Sequence, residues 1–107
     1  MVVLGVMAVS YLQHRFDRSD IQHAVDAVRM TRPQGPEGNT LEEMVATRYG
    51  VSRERIFWVP EIESKIKGTV KVKASVPDSK DILEWRVDLV RFQVFPVSPA
   101  ARDLPKP

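Results

Sequence analysis

Residues 66–76, IKGTVKVKASV, set Ile66, Gly68, Val70, Val72, Ala74 and Val76 in strict alternation with Lys67, Thr69, Lys71, Lys73 and Ser75. Successive side chains of an extended chain point to opposite faces, so this stretch reads as a strand with one apolar and one polar face. Pro77, Asp78 and Ser79 then turn the chain. Beyond them, Leu83, Trp85, Val87 and Leu89 alternate with Glu84, Arg86 and Asp88, after which Val90, Phe92 and Val94 become the apolar set. The phase slips by one residue. A slip of one flips every side chain to the other face, so the segment needs either a bulge near Leu89 or a tight turn at Asp88 to Arg91 into another strand, and the turn is favoured.

Upstream, residues 54–59, ERIFWV, form a short aromatic-rich run ended by Pro60, which suits an edge strand or an extended loop segment. Before it, LEEMVATRY at 41–49 places Leu41, Met44 and Val45 on one side of a helix that Gly50 stops. Thr40 and Glu43 have the spacing of a capping box. These readings give an α+β fold in which residues 40–98 pack one helix on the dry face of a three- or four-stranded antiparallel sheet. The last residues, 99–107, are Pro-rich and read as a tail.

The N-terminal third has a different character. Residues 1–12, MVVLGVMAVSYL, contain no charge and are the most hydrophobic window of the chain. A helix over residues 2–12 would be roughly 17 Å long, short of the ~30 Å hydrocarbon core of a bilayer. Three readings compete: part of a membrane anchor, a secretory h-region with Ala8 and Ser10 ahead of a cut before Tyr11, or a buried element on the sheet. An anchor is the leading expectation, because the run is apolar on all sides, whereas a helix covering a small sheet should carry a polar stripe. Arg15 and Arg18 follow it directly, a pattern that favours a cytoplasmic C-terminal side unless a basic segment lies upstream.

From Phe16 to Met30, Phe16, Ile21, Ala24, Val25 and Val28 recur at helical spacing among charged residues. One N-terminal helix within residues 1–31 is therefore expected, apolar at first and then amphipathic. Residues 32–39 concentrate Pro33, Gly35, Pro36, Gly38 and Asn39 and read as a linker to the domain that follows.

Composition narrows the chemistry. The chain has 107 residues, a formal charge of +2 and no cysteine, which suits one domain and removes disulfides, thiolate metal sites and thiol nucleophiles. His14 and His23 are too far apart in sequence to share a metal from successive helical turns, so no metal and no cofactor is expected. Glu42 and Glu43 belong to a helix first turn, where the dipole favours them. Glu61 and Glu63 would share a strand face, yet no glycine loop or histidine accompanies them to build an acid–base site. The lysines at 65, 67, 71 and 73 face Glu84, Arg86 and Asp88 of the next strand, the cross-strand pairing of a solvated surface. No aromatic is interleaved among them to stack bases, and nucleic acid is not an expected partner.

What remains is contact. Phe57 and Trp58 are neighbours in an extended run and must point to opposite faces, so one of them should be open to a partner. Trp58 is the expected one, with Ile56 turned outward beside it and Phe57 inward. Phe16 and Ile21 of the N-terminal helix complete the expected interaction set. The reading is a membrane-anchored accessory or scaffold subunit without catalytic activity. It would bind the membrane or a membrane complex through residues 1–15 and a protein partner, or itself, through the helix and Trp58. In element order the chain resembles small extracytoplasmic domains of bacterial single-pass proteins, which implies an extracytoplasmic globular part and carries over no residue. The rival readings are a soluble, cytoplasmic domain that homodimerises through its N-terminal helix, and a small enzyme or ligand-binding domain with a pocket between helix and sheet.

Overall fold

The computed structural model describes residues 18–104. Within the alternating stretch Thr69–Ser75 form a strand, β2, whereas residues 65–68 turn and leave Ile66 exposed rather than on the apolar face. Its neighbours follow in chain order: β1 (Phe57–Ser64), β3 (Leu83–Asp88) and β4 (Gln93–Pro96). They form one antiparallel sheet in the order β1-β2-β3-β4. Register places Val72 opposite Pro60 on one side and Trp85 on the other, and Trp85 opposite Pro96. Val70, Val72 and Ala74 therefore share a face with Leu83, Trp85 and Val87, and all six are buried.

Three helices cover that face, where one was expected: α1 (Arg18–Met30), α2 (Leu41–Tyr49) and a short α3 (Pro99–Asp103). Ala24, Val25 and Val28 of α1 lie in the same core as Leu41 and Val45 of α2 and the sheet residues. The described part of the N-terminal helix is thus part of the sheet's cover. Its polar residues, among them Gln22 and His23, face solvent. Residues 32–39 join α1 to α2 as two consecutive turns, with the Gly35 amide donating to Arg32 O at 3.1 Å and the Gly38 amide to Gly35 O at 2.9 Å. The Leu41 amide donates to Thr31 O at 2.8 Å, and Arg29 reaches Glu42 at 2.5 Å, so the two helices are tied at both ends of the turns.

The capping box of α2 forms as expected. The Glu43 amide donates to the Thr40 hydroxyl and the Thr40 amide to the Glu43 carboxylate, each at 3.2 Å. Gly50 closes the helix at φ 64°, a left-handed conformation where a side chain is disfavoured. The phase slip after β3 resolves as the expected turn: Asp88 Oδ1 accepts the amides of Val90 and Arg91, both at 3.0 Å. Phe92 then takes φ 55° and resets the alternation, so that Val94 pairs with Val87.

Two expectations are corrected. The run 54–59 does not stop at Pro60, because β1 continues through it to Ser64. An edge strand has an outer row of unpaired groups and can hold a proline there. The tail does not leave the fold either: α3 buries Ala101 and, just after it, Leu104. Ser98 starts it by accepting the Ala101 amide at 3.3 Å, and Pro99 fills the first turn, where its missing N–H costs nothing. Arg48 donates to Asp103 O and Leu104 O at 3.3 and 3.2 Å, fastening the end of α3 to α2.

Among the described residues no helix is long and apolar enough to cross a membrane. The apolar run 1–12, Phe16 and the membrane contact expected of residues 1–15 lie outside the described residues.

Candidate interaction surface

All three helices sit on one side, and the opposite face of the sheet is open. Its residues follow from alternation and register: Phe57, Val59 and Glu61 on β1, Thr69, Lys71, Lys73 and Ser75 on β2, Glu84, Arg86 and Asp88 on β3, Gln93 and Phe95 on β4. At its centre the charges are fixed. A register shift between Ile62 and Ser64 marks a bulge, and Glu63 at that point receives the Arg86 guanidinium at 2.7 and 3.0 Å. Lys71 stands between Glu63 at 3.8 Å and Glu84 at 3.5 Å. For Lys71 this is the expected cross-strand pairing, extended over three strands, whereas Lys65 and Lys67 lie in the turn between β1 and β2 and do not face β3. Partial burial pushes the Glu63 carboxyl upward, but the Arg86 hydrogen bond with the charges of Arg86 and Lys71 outweighs it and holds the group below the ordinary carboxylate value. A carboxylate held ionised in this way cannot serve as a proton donor near neutral pH.

Apolar side chains flank the charged centre. Phe57 is 73% exposed, and Val59 and Phe95 are exposed as well. Phe95 lies opposite Arg86 in the register, at the other edge from Phe57 and Val59.

The expected contact residue exchanges places with its neighbour. Trp58 points to the helices, packs on the core, and stands 5.8 Å from Trp85 between ring centroids, while Phe57 is the ring in solvent. Ile56 is buried rather than outward. The physical reason lies beyond Pro60. Ile56, Trp58, Pro60 and Ile62 form one uninterrupted apolar parity, whereas the other parity, Phe57, Val59 and Glu61, ends in a carboxylate that cannot be buried unpaired. Reading the strand past its proline supplies that signal. Ile21, the other described member of the expected set, is half-buried on α1.

The space between helices and sheet is occupied by side chains, with Trp85, Val28, Val45 and Val70 each almost fully buried there. Two clefts formed by described residues lie at the rim. A cleft of about 300 Å³ is lined by Arg29, Glu42, Arg53 and Glu54, and a broader one of about 440 Å³ by Glu43, Ala46, Thr47, Val51, Ser52, Arg53 and Glu54. No group of His, Asp and Glu that could hold a metal occurs among the described residues.

Fold and surface together define a small α+β module with one covered and one open sheet face. The chain matches no family model, no curated protein and no solved structure, so its function has to be read from its own surface.

Proposed function

We propose that this protein is a membrane-anchored accessory or scaffold subunit that works through protein contacts. The observation that carries the contact half is the open sheet face, where Phe57, Val59 and Phe95 stand exposed around an internally paired charge cluster. A face of this composition suits recognition. Aromatic anchors supply the desolvation energy, and a network whose charges are already paired can be covered at lower cost than isolated ions. The anchoring half is supported by the uncharged run at residues 1–12. Phe57 takes the contact role first expected of Trp58, since Trp58 is committed to the core.

The test uses the full chain in its native membranes, with a photo-crosslinking amino acid at position 57 and, as a control, at position 80 in the β2–β3 connection. A discrete adduct from position 57 that Phe95→Ser abolishes is the expected result. Equal labelling from both positions would defeat the contact reading. Release of the chain from membranes by alkaline wash, without detergent, would defeat the anchoring reading.

A further inference from the structure

The two hairpin turns at one end of the sheet share a composition of exposed apolar and basic side chains. Thr69 pairs with Asp88, and the Leu89 amide donates to Gly68 O at 3.0 Å, so the β1–β2 turn (65–68) and the β3–β4 turn (89–92) lie side by side. Three large apolar side chains stand out from them: Ile66 is 71% exposed, Val90 64% and Phe92 85%. Lys65, Lys67 and Arg91 are interleaved with them and also exposed. None of the ion pairs among the described residues uses these three cations. Neither turn contains an acidic residue. The nearest carboxylates are engaged elsewhere, Asp88 by the amides of Val90 and Arg91, and Glu63 by Arg86 and Lys71.

Phe92 adds a second, independent oddity. It holds φ 55°, a conformation in which Asn, Asp or Gly is the usual resident, and it presents its ring to solvent from there. Apolar tips set among unpaired cations match one surface chemistry in particular. At an anionic bilayer the aromatic and aliphatic groups enter the boundary between headgroups and acyl chains, and the cations meet lipid phosphates and carboxylates. A protein partner fits less well, because eight residues on two turns fall far short of the ~20–30 a side that a standard interface uses.

We propose that the paired turns 65–68 and 89–92 dock this end of the sheet on an anionic membrane surface, with Ile66, Val90 and Phe92 inserted and Lys65, Lys67 and Arg91 on the headgroups. The inference rests on the reading that the protein works at a membrane, though on residues other than the N-terminal run. Docking at this end leaves the open sheet face roughly along the membrane normal and accessible to a partner.

The experiment is cosedimentation of the full chain with phosphatidylcholine vesicles and with vesicles that also contain phosphatidylserine. The turns are expected to make binding to the second stronger. The triple substitution Lys65→Gln, Lys67→Gln, Arg91→Gln should remove that preference, about a hundredfold at roughly fivefold per cation, and added salt should weaken it in parallel. Phe92→Asn, which tolerates the backbone conformation, combined with Ile66→Ser should reduce phosphatidylserine binding at least tenfold. Unchanged near-ultraviolet circular dichroism shows that the variants are folded. A phosphatidylserine preference that survives the triple substitution, no preference at all, or equal binding by the Phe92→Asn, Ile66→Ser variant would each overturn the proposal. Binding to pure phosphatidylcholine reports on the N-terminal anchor separately, so failure of the anchor and failure of the turns are read from different vesicles.

Discussion

Trp85→Phe tests whether the sheet's covered face carries the fold. Trp85 is 1% exposed at the middle of β3, opposite Val72 on one side and Pro96 on the other, with the Trp58 ring 5.8 Å away. A buried indole removes about 200 Å² from water, roughly 5 kcal/mol at ~25 cal/mol per Å². Truncation to alanine should cost ~3–5 kcal/mol once the cavity is included, as much as the whole stability of a domain at the low end of the usual ~5–15 kcal/mol. Phenylalanine, whose smaller cost leaves the chain folded, is the informative replacement. It keeps a ring but loses the second one and part of the tilted contact with Trp58, about 1–2 kcal/mol. In urea, with a slope of ~2 kcal/mol per M, the midpoint should fall by roughly 0.5–1 M with the slope unchanged. Lys73→Ala, on the open face of the adjacent strand, should shift it by no more than about 0.25 M. The assay is far-ultraviolet circular dichroism against urea. Equal midpoints for Trp85→Phe and Lys73→Ala would mean that the two sheet faces are assigned the wrong way round.

Thr40→Ala removes the side-chain half of the α2 capping box and leaves the Glu43 amide unsatisfied, so a loss of about 1 kcal/mol is expected in the same titration, with Thr40→Ser nearly neutral. Gly50→Ala meets no atom within 4 Å, so its expected cost of roughly 1 kcal/mol comes from the positive φ alone; Gly50→Asn should recover much of it. Acid should destabilise the chain through Glu63. Its folded value lies below the ordinary 4.5, so its contribution is complete above that pH and is lost as pH falls through the folded value. Glu63→Gln should flatten that acid limb in thermal melts from pH 6 downward, and an unaltered limb would mean that the Arg86 pairing contributes nothing.

Side-chain alternation is a local property, and wherever it alone decides the structure the sequence is sufficient. Alternation over 69–75 sets β2 and its polar face, the slipped phase after Asp88 requires a bulge or a turn there, and Thr40, Glu43 and Gly50 mark both ends of α2, because each rests on φ/ψ or hydrogen bonds within a few residues. Tertiary structure decides what local rules leave degenerate. Either parity of ERIFWV could face inward, and the choice falls to Trp58 because its parity continues through Pro60 to Ile62 opposite Val72 and Val70, while the parity of Phe57 leads to an acid. A helix with an apolar stripe, such as α1, has to bury it somewhere, and only the sheet's full width and the turns at 32–39 determine that residues 24–28 share the core. The same holds for α3, which the sequence reads as a tail and whose reason to fold, a place for Ala101 and Leu104 in the core, exists only when β3 and β4 are in position. The nearness of the turns 65–68 and 89–92 is likewise invisible along the chain, since twenty residues separate them and only the antiparallel pairing of β2 with β3 brings them together.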